Sequence, residues 1–197
     1  MKTILTSAIL FICTYCCFAQ SNMCIKANSL SYNFYKNENS NLYKTKLLDN
    51  GQLTLEPGIQ LSAEIFGSIY TSFKILQTVK NDACSKFSGS TQLLIRYRLF
   101  KRWRHSIYAG IGPVIFYRES WTSINNYTDN NFYEHSDPLD YKNFWLSGEI
   151  EYNYSINKFG DFSLSLNQIN GNSLGVLFGY KYWFSRKPRK NCNCPSY

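Results

Sequence analysis

The segment 143–156 reads NFWLSGEIEYNYSI, and in steps of two it separates into two unlike lists. Phe144, Leu146, Gly148, Ile150, Tyr152, Tyr154 and Ile156 are apolar or aromatic. Trp145, Ser147, Glu149, Glu151, Asn153 and Ser155 are mostly polar and include both carboxylates. A period of two means a strand, because successive side chains leave an extended backbone on opposite sides. A strand with one oily and one charged face admits two architectures. A soluble sandwich turns the charges to water and the oil to a core. A membrane barrel turns the oil to lipid and encloses the charges.

The same alternation recurs along the chain, and no 3.6-residue period competes with it. It is faint over 25–35. Over 53–65 it sets Ile59, Leu61 and Ile65 against Gln60, Ser62 and Glu64, and over 68–78 it sets Phe73 and Ile75 against Ser72 and Lys74. Over 87–99, Leu93, Ile95, Tyr97 and Leu99 oppose Ser88, Ser90, Gln92, Arg96 and Arg98. Segments 105–118, 143–156, 161–168 and 173–184 complete the series. The count is about eight, an even number, and most segments are near the ~9–11 residues that a tilted membrane strand needs. The connections sort by length. FG, KRWR and NKFG are short; NENSNLYKTKLLDNG, VKNDACSK and ESWTSINNYTDNNFYEHSDPLDYK are long, and INGN is the one short connection on the long side. A soluble sandwich has no reason to sort its loops by side. The expected fold is therefore all-β: a closed, antiparallel, up-and-down transmembrane β-barrel of about eight strands.

The chain begins with Lys2 and an apolar run over 4–18, and Cys17-Phe18-Ala19 fits cleavage before Gln20. Residues 1–19 read as a secretory signal peptide, too short for a spanning helix. Residues 20–184 are then the barrel domain, and 185–197 a basic, disordered tail. The net charge of +8 would suit nucleic acid. An exported chain has little access to it, and a basic surface facing anionic lipid is the better use of the charge.

The interior of a narrow eight-stranded barrel is filled by side chains. Glu64, Lys74 and Lys181 fall on polar faces, as do Arg96, Arg98, Arg118, Glu149 and Glu151. The last five are expected to form an interior charge cluster on neighbouring strands. Tyr97, Tyr152, Tyr182 and Phe184, on outward faces near strand ends, suit an aromatic girdle.

Signal segment, alternation and loop asymmetry together resemble the small outer-membrane β-barrel proteins of Gram-negative bacteria. That resemblance implies an outer-membrane location, outer-membrane lipid and the barrel assembly machinery as partners, and Phe184 as the end of an assembly-signal strand. The last hairpin, SLSLNQINGNSLGVLFGYKYWF, also resembles the end of lipid A deacylase barrels, with Asn167 and Gly179-Tyr180 at matching positions. That family has a His-x-Ser-Asn segment there, and this chain has Leu164 and Leu166 in place of the His and the Ser.

Little else suggests catalysis. The two histidines, His105 and His135, precede Ser106 and Ser136, but sequence neighbours on an extended chain point apart. Glu149 and Glu151 stand about 7 Å apart along one face, a spacing compatible with paired-carboxylate chemistry, but neutralising Arg96, Arg98 and Arg118 inside the barrel is the stronger reading. Zinc spacing, a phosphate loop and a dinucleotide fingerprint are absent. No catalytic, cofactor-binding or metal-binding residue is assigned. Among the cysteines beyond the signal segment, Cys24 falls on the same side as Cys192 and Cys194, so a bridge from it to either is open in an oxidising compartment, whereas Cys84 falls in an outer loop. The reading is an outer-membrane barrel with a structural or surface-interaction role, its external partner unnamed. The alternatives are a lipid-modifying enzyme of the lipid A deacylase type and a secreted soluble β-sandwich binding domain.

Overall fold

The computed structural model describes residues 21–35, 38–129, 132–136, 138–169 and 173–184. The proposed signal segment and the tail with Cys192 and Cys194 lie outside the described residues. The chain forms β1 (Ser21–Asn33), β2 (Leu53–Phe66), β3 (Thr71–Asn81), β4 (Phe87–Arg102), β5 (His105–Glu119), the short β6 (Glu134–Ser136), β7 (Leu139–Ser155), β8 (Gly160–Ile169) and β9 (Ser173–Trp183). Apart from β6, which pairs only with the start of β7, each strand pairs antiparallel with its neighbour in chain order. β9 pairs back to β1, from Asn22↔Trp183 to Asn33↔Ser173. The sheet is thus a closed barrel of eight long strands. Closure satisfies every interior ladder and removes the sheet edges, which a spanning sheet requires in lipid.

The burial pattern is inverted relative to a soluble domain. Ile25, Leu61, Ile75, Leu93, Ile95, Ile111, Ile150 and Phe178 are exposed, while Lys26, Gln60, Lys74, Gln92, Arg96, Glu151 and Lys181 are buried. Charged groups are almost never fully buried unless paired, and so large an apolar exterior marks a lipid or partner surface. No helix among the described residues is long and apolar enough to cross a membrane.

Two prolines inside strands sit at register irregularities. Pro57 on β2 lies where Asn28↔Gly58 steps to Leu30↔Leu55, and Pro113 on β5 where Gly112↔Ser147 steps to Val114↔Phe144. Proline has no N–H for the ladder, so bulges are where a sheet tolerates it. At the second, Trp145 and Leu146 both face Pro113. The extra residue shifts the phase of β7. Ser147, Glu149, Glu151 and Asn153 point inward as expected, but Trp145 does not join them: it is 91% exposed, beside an equally outward Leu146. Phe144, expected on the outer face, is half-buried and packs on Phe132 at 5.9 Å between ring centroids.

The sorting of connections persists with altered lengths. β4 and β5 run closer together than KRWR suggests, so only Trp103 and Arg104 remain in the turn, Trp103 with φ 55°. The β2–β3 turn is longer than FG, because the Ser68 hydroxyl accepts from the N–H groups of Tyr70 (3.1 Å) and Thr71 (3.0 Å) and so holds a local turn before β3 starts. β1 begins earlier than the alternation indicates, at Ser21.

Candidate functional site

The interior holds one continuous charge network. Lys26 on β1 directs Nζ to Glu149 Oε1 (3.1 Å) and Glu151 Oε2 (2.6 Å) on β7, and donates to Ser165 Oγ (2.9 Å) on β8. Lys74 on β3 reaches Glu149 Oε2 and Glu151 Oε2, both at 2.7 Å. Arg96 on β4 places Nη1 2.7 Å from Glu64 Oε1 on β2 and Nη2 3.1 Å from Glu151 Oε1. Lys181 on β9 pairs with Glu151 and lies 3.4 Å from Glu64 Oε2. Ser72 Oγ, Asn22 Nδ2 and Asn153 Nδ2 donate to the remaining carboxylate lone pairs at 2.6, 2.9 and 3.0 Å. Desolvating seven ionised groups is costly, and only such dense pairing and hydrogen bonding offsets it. Strands distant in sequence are tied together across the lumen.

The expected cluster is thereby divided. Arg96, Glu149 and Glu151 come together; Arg98 and Arg118 stand apart. The Arg98 guanidinium lies over the Tyr70 ring, 5.2 Å from its centroid, near the short-turn end. Arg118, near the other end, has Nε 3.5 Å from Asp140 Oδ2, and its guanidinium sits 4.0 Å from the Trp121 centroid and 3.9 Å from that of Tyr133. Lys26 was invisible in the sequence because its strand shows little alternation. Glu64, Lys74 and Lys181 did announce themselves by falling on polar faces.

Aromatic side chains cluster at both ends of the lumen. Phe66, Tyr108 and Trp183 pack at the short-turn end, where the Trp183 indole donates to Asp161 Oδ2 at 2.7 Å. At the long-loop end, Tyr43, Ala83, Cys84 and Trp121 form a small core with Leu42, Ile124 and Tyr127 against it. The Trp121 indole donates to Asp82 Oδ2 at 2.7 Å, and Asp82 Oδ1 accepts from the N–H groups of Cys84 (2.9 Å) and Lys86 (2.8 Å). Burial raises the Asp82 carboxyl above its ordinary range and pushes the Cys84 thiol up to about 12. Cys24 points into the lumen, 3% exposed, and has no disulfide partner among the described residues.

The residues weighed for catalysis are engaged elsewhere. His105 Nδ1 lies 2.6 Å from the Tyr152 hydroxyl on the outer wall. His135 sits between two carboxylates, with Nδ1 2.7 Å from Asp140 Oδ1 and Nε2 2.9 Å from Asp129 Oδ2. Glu149 and Glu151 are fully buried beneath lysine and arginine. No cluster of three or more His, Cys, Asp or Glu among the described residues could hold a metal ion.

No family model and no curated protein matches the chain. Solved structures do. The N-terminal β-barrel domain of Pseudomonas aeruginosa OprF matches with a TM-score of 0.51 at 12% identity, over 84% of this chain and 99% of that one. Neisserial surface protein A (NspA) matches with a TM-score of 0.51 at 9% identity, over 83% of this chain and 96% of that one. At such identities the likeness is one of fold. The chain has the fold of the small, closed, eight-stranded outer-membrane barrels.

Proposed function

We propose that this chain is an outer-membrane barrel with a sealed lumen, serving a structural or surface-interaction role through its long loops. The observation that carries the reading is the filled interior: a buried seven-charge network between two aromatic clusters. A wall of outward aliphatic side chains fits lipid, and an occupied lumen fits neither a pore nor a ligand cavity. Short turns face the periplasm, long loops face outward, and the barrel assembly machinery inserts the chain. The test is membrane fractionation with heat-modifiable migration in detergent, followed by conductance in planar bilayers. The expected result is an outer-membrane protein that migrates faster unheated than heated and opens no steady channel. Recovery as a soluble protein returns the sandwich reading.

The lipid A deacylase reading meets a specific obstacle. Leu164 and Leu166 face outward on β8, while Asn167 is buried in the lumen. An imidazole beside a hydroxyl on the lipid face is what acyl-ester hydrolysis would require. Lipid mass spectrometry of expressing cells should therefore show unchanged acylation. Loss of one acyl chain that depends on His105 or His135 would restore the enzyme.

A further inference from the structure

Among the described residues, the short-turn rim combines exposed cations and aromatic rings with no exposed carboxylate side chain. A register shift between Arg98 and Phe100 on β4 leaves Leu99 and Phe100 both exposed and re-phases the strand end. Below it, Phe100, Ile107 and Tyr152 align across β4, β5 and β7, and the next row down is Arg102, His105 and Tyr154. By the period of two, both rows share one face, the face that carries Ile111 and Ile150 higher up the wall. His105 is held by the Tyr152 hydroxyl at 2.6 Å and by ring contact with Tyr154, 5.3 Å between centroids. Beyond this row the turn presents Arg104 and Trp103, the latter 90% exposed. The carboxylates at this end, Glu64, Glu149, Glu151 and Asp161, are all buried.

On the reading of this chain as a membrane barrel, we propose that Arg102, Arg104 and His105, with Tyr152, Tyr154 and Trp103, form a headgroup site for an acidic phospholipid on the short-turn rim. Guanidinium groups match phosphate oxygens in paired hydrogen bonds, which ammonium groups do not. Tyrosine and tryptophan favour the depth at which headgroups lie. The row continues directly into the outward apolar wall. The anion that meets it is therefore a phosphate carried on acyl chains that run along Phe100, Ile107 and Ile111, rather than free phosphate.

The experiment is native mass spectrometry of the full chain from mixed micelles holding equal phosphatidylglycerol and phosphatidylcholine. The wild type should retain phosphatidylglycerol with a preference on the order of tenfold. R102Q/R104Q/H105Q should lose that preference, and R104Q alone should weaken it. K44Q/K46Q removes the same two formal positive charges at the other end and should keep it. Heat-modifiable migration of each variant establishes that it is folded. A folded triple variant with unchanged preference, a wild type without preference, or loss of the preference on adding inorganic phosphate would each overturn the site. A wild type that never shows a heat-modifiable band overturns the barrel reading itself.

Discussion

Glu151 on β7 lies 3.1 Å from Arg96 Nη2 on β4, with both side chains wholly buried. The same carboxylate also meets Lys26, Lys74 and Lys181, from three further strands. A single acid thus joins four cations across the lumen.

Replacing it should be costly. Glu151→Gln leaves four buried cations facing only Glu64 and Glu149, a loss of about 3–5 kcal/mol. Glu134→Gln, at an exposed position on β6, should stay within about 0.5 kcal/mol. The temperature at which the compact unheated band disappears on a detergent gel measures both. Equal temperatures for the two variants would mean that Glu151 does not hold the barrel.

The outer cluster makes a separate prediction. Trp121 fills the small loop core, lies over the Arg118 guanidinium and donates to Asp82. Trp121→Ala should cost about 3–5 kcal/mol of local packing. Proteolysis of the segment 120–138 in the folded protein should accelerate, while the eight long strands stay intact. Trp103→Ala, at the exposed turn, should leave that rate unchanged.

The third prediction concerns pH. Asp140 first, and then Asp129, hold the His135 imidazole above its ordinary range, because each ring nitrogen faces a carboxylate. Only the imidazolium can donate from both nitrogens. A raised folded value means that the clamp is fully present below about 6.5, the unfolded value, and is lost as pH rises through the folded one. Arg118 also faces Asp140, with Nε 3.5 Å from Oδ2. Protease cutting of 120–138 should therefore speed up from mildly acidic to alkaline pH. His135→Asn should be cut at the faster rate throughout.

The architecture was legible because a two-sided wall imposes a period of two on the sequence. β2, β4, β5, β8 and β9 could be bounded closely from alternation alone. A bulge defeats that reasoning, since one added residue reverses every later assignment until the next correction. Trp145 and Phe144 were misassigned for this reason. Lys26 was missed because Ser, Asn and Ala on β1 blur the contrast between faces. The outer cluster was out of reach on different grounds. Tyr43, Cys84 and Trp121 lie in three separate loops, and nothing local in an Asn-rich loop announces a contact across the barrel mouth.

The central claim is that the apolar face of the wall meets lipid. Its most direct measurement compares two single cysteines in the chain reconstituted into vesicles, the other cysteines replaced by serine. Ile95→Cys lies mid-strand on the outer wall, at a site 61% exposed in the isolated barrel, and Thr122→Cys lies in the long loop. A membrane-impermeant maleimide should label Thr122→Cys and spare Ile95→Cys, and a bimane placed at Ile95→Cys should be quenched by brominated acyl chains. Labelling of Ile95→Cys as fast as Thr122→Cys, without quenching by the brominated lipid, would contradict the barrel's placement in a membrane.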